Sequence, residues 1–366
     1  MKKRINVIIG ILISAAFVYL AFRRVEFTEV IYSIQRVNYL WVIPNVVIVV
    51  ITMVIRAERW RHILRPLREY DMGQLFPPVM IGFMANNVLP IRLGEIIRAY
   101  SLGAKTGESR SSIFATVVIE RIFDSLSLMA IFWLVILFIP FPPAVRKFGI
   151  ATLILNLIII IFLIVLKQRG GTLVRGISSR VSFLPSRLTE KTDHILRRFA
   201  EGLNIFEKYK SLGVIAIWSL ILWVVTGLSN YFIFMAFGFY PDIAASFILL
   251  LFVAAAVLLP SAPGFVGVFQ AAVIGAFALL NNLNMIGYQL TLEKIQMMSL
   301  TIPAFSKAPI PGFGSYCESL GLFGISKGEA LSFSMILWLC QYIPVTLLGL
   351  YYLKRQHLSL KISDDK

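Results

Sequence analysis

The sequence predicts an all-α, polytopic membrane protein built as two inverted-repeat-like halves with broken, re-entrant helices. Three observations lead there. Of 366 residues, 58% are hydrophobic and 15% charged, with a mean hydropathy of +0.80, well beyond the composition of a soluble domain. Nine apolar runs recur along the chain, at 5–22, 38–55, 74–91, 112–139, 148–166, 211–237, 244–260, 265–280 and 330–353. Lysine and arginine are also distributed unevenly between the connections.

The first run follows Met1-Lys2-Lys3-Arg4. Eight more runs come after it and no convincing small-residue cleavage site closes it, so it reads as an uncleaved first span. Alternate assignment of the connections places 26 Lys+Arg on one side (the N-terminus, 56–73, 92–110, 167–210 and 354–366) and 8 on the other. The positive-inside rule then puts both termini in the cytoplasm, in the plasma membrane.

Basic connections on both sides of 74–91 require that run to enter and return. Pro77, Pro78, Asn86, Asn87 and Pro90 suit a broken re-entrant hairpin. The runs 244–260 and 265–280 fall short of the roughly 20 residues of a comfortable span and suit either a second hairpin, entering from outside, or two full spans. Pro90-Ile91-Arg92-Leu93-Gly94 and Pro260-Ser261-Ala262-Pro263-Gly264 share a Pro-x-x-x-Gly break. Paired interrupted segments in two halves mark the substrate site of many transporters.

The chain reads as one integral membrane domain, 1–366. It comprises an N-terminal half (1–166), a basic amphipathic cytoplasmic linker (167–210), a C-terminal half (211–353) with an external loop at 281–328, and a cytoplasmic tail (354–366). In the linker, Leu196, Phe199, Leu203 and Phe206 recur at three and four, as on an amphipathic helix.

A net charge of +16 would suggest nucleic acid in a soluble protein. Here it belongs to loops and anionic lipid surfaces, so no nucleic-acid partner is expected. Cys317 and Cys340 are not spaced as metal ligands, and His62, His194 and His357 are scattered among basic stretches. With no Walker loop, GxSxG elbow or HExxH, no cofactor or metal is expected, and a transporter is favoured over an enzyme.

Polar and ionisable groups crowd one membrane boundary. They are Asn86, Asn87, Arg92, Glu95 and Arg98, then Glu120, Arg121 and Asp124. Glu95 and Arg98 are three apart, as are Arg121 and Asp124, so each pair can meet on a helix face, and Glu120 shares a face with Asp124. A charge at the bilayer centre costs about 2.5–3.5 kcal/mol on insertion scales, so membrane charges are normally paired or functional. The same groups equally suit an anchor of interfacial ion pairs.

The run Asn86-Asn87-x-Leu89-Pro90-x-Arg92-x-Gly94-Glu95-x-x-Arg98, then Glu120-Arg121-x-x-Asp124, then Pro263-Gly264-x-x-Gly267, resembles the flippase-like family. That family includes the transmembrane region of lysylphosphatidylglycerol synthases, the multiple peptide resistance factors. The resemblance implies a bilobed membrane domain that moves an anionic or aminoacylated phospholipid between leaflets. If the lipid is a modified one, a separate lipid-modifying enzyme is expected to make it, because the soluble synthase domain of the full-length relatives is not found in this sequence. Where the family often has Pro-Gly-Gly followed by an acid, this chain has Phe265 and Gln270, which removes an acidic contact to a cationic headgroup.

On this reading Pro263, Gly264 and Gly267 open a half-helix whose N–H groups hold phosphate, with Gln270 beside them. Arg92 and Arg98 grip the phosphate from the inner side, Glu95, Glu120 and Asp124 orient the guanidinium forks, and Asn86 and Asn87 line the path. The rival expectation is a polyprenyl-phosphate-linked membrane glycosyltransferase, or an accessory protein of lipid modification.

Overall fold

The computed structural model describes residues 27–89, 93–138, 145–147, 149–161, 209–258, 261–281 and 325–356, with Tyr19 and Pro143 besides. Most of the first apolar run, the linker and the external loop, together with Pro90, Ile91 and Arg92, lie outside the described residues. Every regular element among the described residues is helical: α1 (Phe27–Gln35), α2 (Val42–Leu64), α3 (Met72–Val88), α4 (Gly94–Thr106), α5 (Arg110–Phe138), α6 (149–161), α7 (Tyr209–Ala236), α8 (Ile243–Val257), α9 (268–281) and α10 (Lys327–Arg355). Among the described residues four helical stretches are long and apolar enough to cross a membrane: Tyr39–Leu64, Leu212–Ala236, Pro263–Asn281 and Lys327–Arg355.

The chain divides into two compact units that do not follow its N- and C-terminal halves. One comprises Met1–Ile48 and Thr226–Gln341, the other Val49–Val225 and Tyr342–Lys366. The first unit is knit by phenylalanine: Phe234, Phe277 and Phe333 are all buried, and Phe333 lies 4.8 Å from Phe234 and 5.0 Å from Phe277 between ring centroids. Some of its buried polar side chains give an N–H or O–H to backbone carbonyls within the unit, as suits membrane depth. Asn45 donates to the Ser229 carbonyl (2.8 Å) and Ser332 to the Val30 carbonyl (3.2 Å).

The second unit holds the larger aliphatic core. Trp60, Ile63 and Leu64 of α2 pack with Leu75 and Val79 of α3, Leu102 of α4, Ile113 and Ile119 of α5 and Ile215 of α7. Here the structure corrects an expectation. The run 74–91 does not turn back within itself; α3 is one continuous helix through Pro77 and Pro78, and the return limb is α4.

Glycine fixes how closely these two helices approach. A Cβ on Gly94 would strike the Gly82 carbonyl oxygen and the Asn86 side chain, and one on Gly82 would meet Arg98 Cβ at 2.8 Å. Asn86 staples the hairpin: its Oδ1 accepts the Gly94 N–H (2.8 Å), and its amide donates to Glu95 Oε1 (3.2 Å). α4 ends at Gly107, whose φ of 74° places it in the left-handed region that glycine adopts without strain.

The first unit has its own interruption between α8 and α9. Gly264, Phe265 and Gly267 all have positive φ (74°, 59° and 86°). The Gly264 carbonyl accepts from Trp338 Nε1 at 2.7 Å, and the Gly267 N–H donates to Gln270 Oε1 at 2.7 Å. Among the described residues each unit thus contains an interrupted helical pair.

Candidate functional site

Four arginines and two carboxylates meet in the second unit. Arg56 and Arg59 come from α2, Arg98 from α4, and Glu120, Arg121 and Asp124 from α5. Helical spacing brings them onto facing surfaces: Arg56 and Arg59 are three apart, and Glu120 and Asp124 four apart. Arg59 and Glu120 are fully buried, Arg98 is 2% exposed and Arg56 6%.

Glu120 is the hub. Its Oε1 accepts from Arg98 Nη1 at 3.0 Å and Arg121 Nη2 at 2.6 Å. Arg59 Nη2 stands 3.0 Å from Oε1 and Arg98 Nη2 2.9 Å from Oε2, ion-pair contacts that lie off hydrogen-bond alignment. Asp124 Oδ1 accepts from Arg59 Nη1 at 2.6 Å and Trp223 Nε1 at 2.9 Å, and Arg59 Nη1 also reaches Ser219 Oγ at 2.9 Å. Arg121 Nη2 lies 3.3 Å from Asp124 Oδ2, the pairing expected from sequence.

Among the described residues the charges do not balance. Four guanidinium groups face two carboxylates, and including half-buried Glu95 still leaves one positive charge over. The excess falls on Arg56. Its Nη1 reaches Asp124 Oδ2 only at 3.8 Å, and neither Nε nor Nη1 has a hydrogen-bond partner among the described residues. Aromatic faces hold it instead, with Phe83 at 4.8 Å and Trp223 at 5.4 Å from the guanidinium carbon. Arg98 likewise lies 3.8 Å above the Trp60 ring. Cation–π contacts of this kind contribute about 0.5–2 kcal/mol, too little to replace water around a buried cation.

Several expected roles shift. Arg98 pairs with Glu120 rather than Glu95, which Asn86 holds. Asn87 donates to Thr346 Oγ1 (3.0 Å) on α10, so both asparagines have structural partners. Pro263, Gly264, Gly267 and Gln270 belong to the first unit. There the regular helix starts after Gly267, not at Pro263, and Gln270 already occupies the Gly267 N–H. Arg92 lies outside the described residues.

Arg56 and Arg59 were assigned by sequence to a loop and prove to be the missed members of the site. The signal was present: Met53, Ala57, Trp60, Ile63 and Leu64 continue the apolar period of α2 past the first charge. With Arg56, Arg59 and Arg98 buried on helices, the loop charges stand at 23 against 8, and their sign is unchanged.

Fold and site together define a polytopic, all-α membrane protein with a cationic cluster buried in one unit. The chain belongs to the lysylphosphatidylglycerol synthase TM region family, whose model matches residues 7–284. It is similar to a UPF0104 membrane protein of Methanothermobacter thermautotrophicus, 26% identical over 332 residues, spanning 86% of this chain and 96% of the relative. A UPF0104 membrane protein of Methanocaldococcus jannaschii is 29% identical over 222 residues, 56% of this chain and 87% of the relative. The glycosyltransferase AglD of Haloferax volcanii is 30% identical over 127 residues, 34% of this chain and 20% of that protein. No solved structure matches. Membership of this family fits a membrane-lipid-related role.

Proposed function

We propose that this protein carries an anionic or aminoacylated phospholipid between the leaflets of the plasma membrane, with both termini in the cytoplasm. The observation that supports this most is the surplus positive charge of the buried cluster, concentrated on Arg56. An uncompensated buried ion costs several kcal/mol, and a phosphate brought to it removes that cost. Nε and Nη1 of Arg56, without a hydrogen-bond partner among the described residues, each keep an N–H to donate to a phosphate oxygen.

Glu120 and Asp124 keep the other three arginines pointed inward, so the site is preorganised while the acyl chains stay in lipid. Glu95, which Asn86 holds at 3.2 Å, would receive an amine on the headgroup. A phosphate at Gly264 and Gly267 would first have to displace Gln270 from the Gly267 N–H. A separate enzyme would supply the lipid if it is aminoacylated.

The likeness to AglD favours a second reading, in which the phosphate belongs to a polyprenyl-linked sugar. Reconstitution separates the two. Purified protein in vesicles is expected to expose fluorescent phosphatidylglycerol to an external quencher faster than protein-free vesicles do. Movement of a polyprenyl-phosphate sugar and not of phosphatidylglycerol would replace the first reading with the second.

A further inference from the structure

The second unit has another concavity, remote in character from the buried cluster. A groove of about 790 Å³ runs between α2, α3, α4 and the end of α10, within the size range of small-ligand sites. Its walls are apolar. Val54 of α2, 44% exposed, forms one side, while Phe76 and Tyr352, edge to face at 5.7 Å, form another. Its rim is cationic, with Lys105 from the last turn of α4 and Arg355 from the last turn of α10. Both cations are exposed, and no carboxylate is among the described residues that line the groove.

A third feature faces the same space. Gly73 and Pro77 both line the groove. Pro77 has no N–H to return to the Gly73 carbonyl four residues earlier, so that helix acceptor lacks its normal donor. A Cβ on Gly73 would meet no atom within 4 Å.

We propose that this groove is a loading site for an anionic phospholipid with a hydroxylated headgroup, entering from the inner leaflet. The proposal rests on the reading that the substrate is an anionic phospholipid, and adds where it docks. The phosphate sits between Lys105 and Arg355, a headgroup hydroxyl donates toward the Gly73 carbonyl, and the upper acyl segment lies on Val54, Phe76 and Tyr352. A soluble anion would need the cations but not the apolar wall beside a membrane-crossing helix.

The test is lipid retention, counted by native mass spectrometry on protein purified from vesicles of equal phosphatidylglycerol and phosphatidylcholine. Each basic residue near a membrane surface strengthens anionic-lipid binding about fivefold, so Lys105→Gln with Arg355→Gln should lower the phosphatidylglycerol preference by about thirtyfold. Lys105→Arg with Arg355→Lys should keep it. Gly73→Phe leaves both charges in place but fills the groove, and should expel either lipid.

Unchanged retention in the double Gln variant and in Gly73→Phe would overturn the proposal. So would release of phosphatidylglycerol by millimolar inorganic phosphate, the mark of a soluble-anion site. Wild-type vesicles that bind phosphatidylglycerol in the groove but never move it would refute the transport reading alone. Transport unaffected by all the groove variants would refute the groove alone.

Discussion

Removing the Glu120 charge should damage the protein unevenly, and the geometry says which partner suffers. Glu120→Gln leaves Arg59 and Arg121 with Asp124, at 2.6 Å and 3.3 Å. Arg98 has no other ion-pair partner among the described residues and is 2% exposed. One arginine is therefore orphaned, not three, and the cost is that of breaking one buried pair, about 3–5 kcal/mol.

Arg98→Met removes the same pair from the opposite side, yet Glu120 keeps Arg59 and Arg121. The loss should be smaller, about 1.5–3 kcal/mol for a charged hydrogen bond. Combining both changes should cost clearly less than their sum, because neither group is left unpaired. Unfolding in mixed micelles of increasing SDS, followed by tryptophan fluorescence, gives all three values. An equal cost for Glu120→Gln and Arg98→Met, or strict additivity, would refute this account of the cluster.

Three further outcomes are expected. Asp124→Asn should reduce folded yield, and adding Arg121→Gln should partly restore it, because the pair is 3.3 Å apart; folded protein counted by size-exclusion chromatography decides this. Gly94→Ala should cost about 1–3 kcal/mol or more through overpacking against Gly82 and Asn86, while Gly73→Ala should be neutral or gain up to about 1 kcal/mol, both read by thermal unfolding. Single cysteines at Lys105 and Ser186 should be shielded from an impermeant thiol reagent in intact cells, and one at Ser306 should react; labelling at position 105 from outside would contradict the inward orientation.

The all-α membrane architecture was legible because hydropathy over a long run is a strong signal, and most of the described helices fall close to the apolar runs that predict them, whereas α1 and α4 lie in stretches between those runs. The pairing of Arg121 with Asp124 was legible for the same local reason, helical spacing. What escaped was anything decided between helices. The path of the chain at 74–91 was misplaced because a turn can be read from Pro90 and Gly94, but not the fact that Pro77 and Pro78 sit inside a continuous helix.

Arg56 and Arg59 were missed because charges at the edge of an apolar run look the same whether they enter a loop or continue a buried helix. Only Trp60, Ile63 and Leu64, keeping the helical period beyond them, separate the two cases. Arg98 was matched to its neighbour Glu95, when the nearer carboxylate in space was Glu120, 22 residues on.

Arg56 offers the most direct measurement of the central claim, that surplus buried charge receives a lipid phosphate. Its only acidic contact among the described residues is 3.8 Å away, so Arg56→Gln leaves the other pairs of the cluster in place. The account predicts folded protein that moves fluorescent phosphatidylglycerol across reconstituted vesicles about tenfold to a hundredfold more slowly than wild type, the value of one charged hydrogen bond. Arg56→Lys, which keeps the charge and loses the fork, should fall between them. Equal rates for wild type, Arg56→Lys and Arg56→Gln would contradict it.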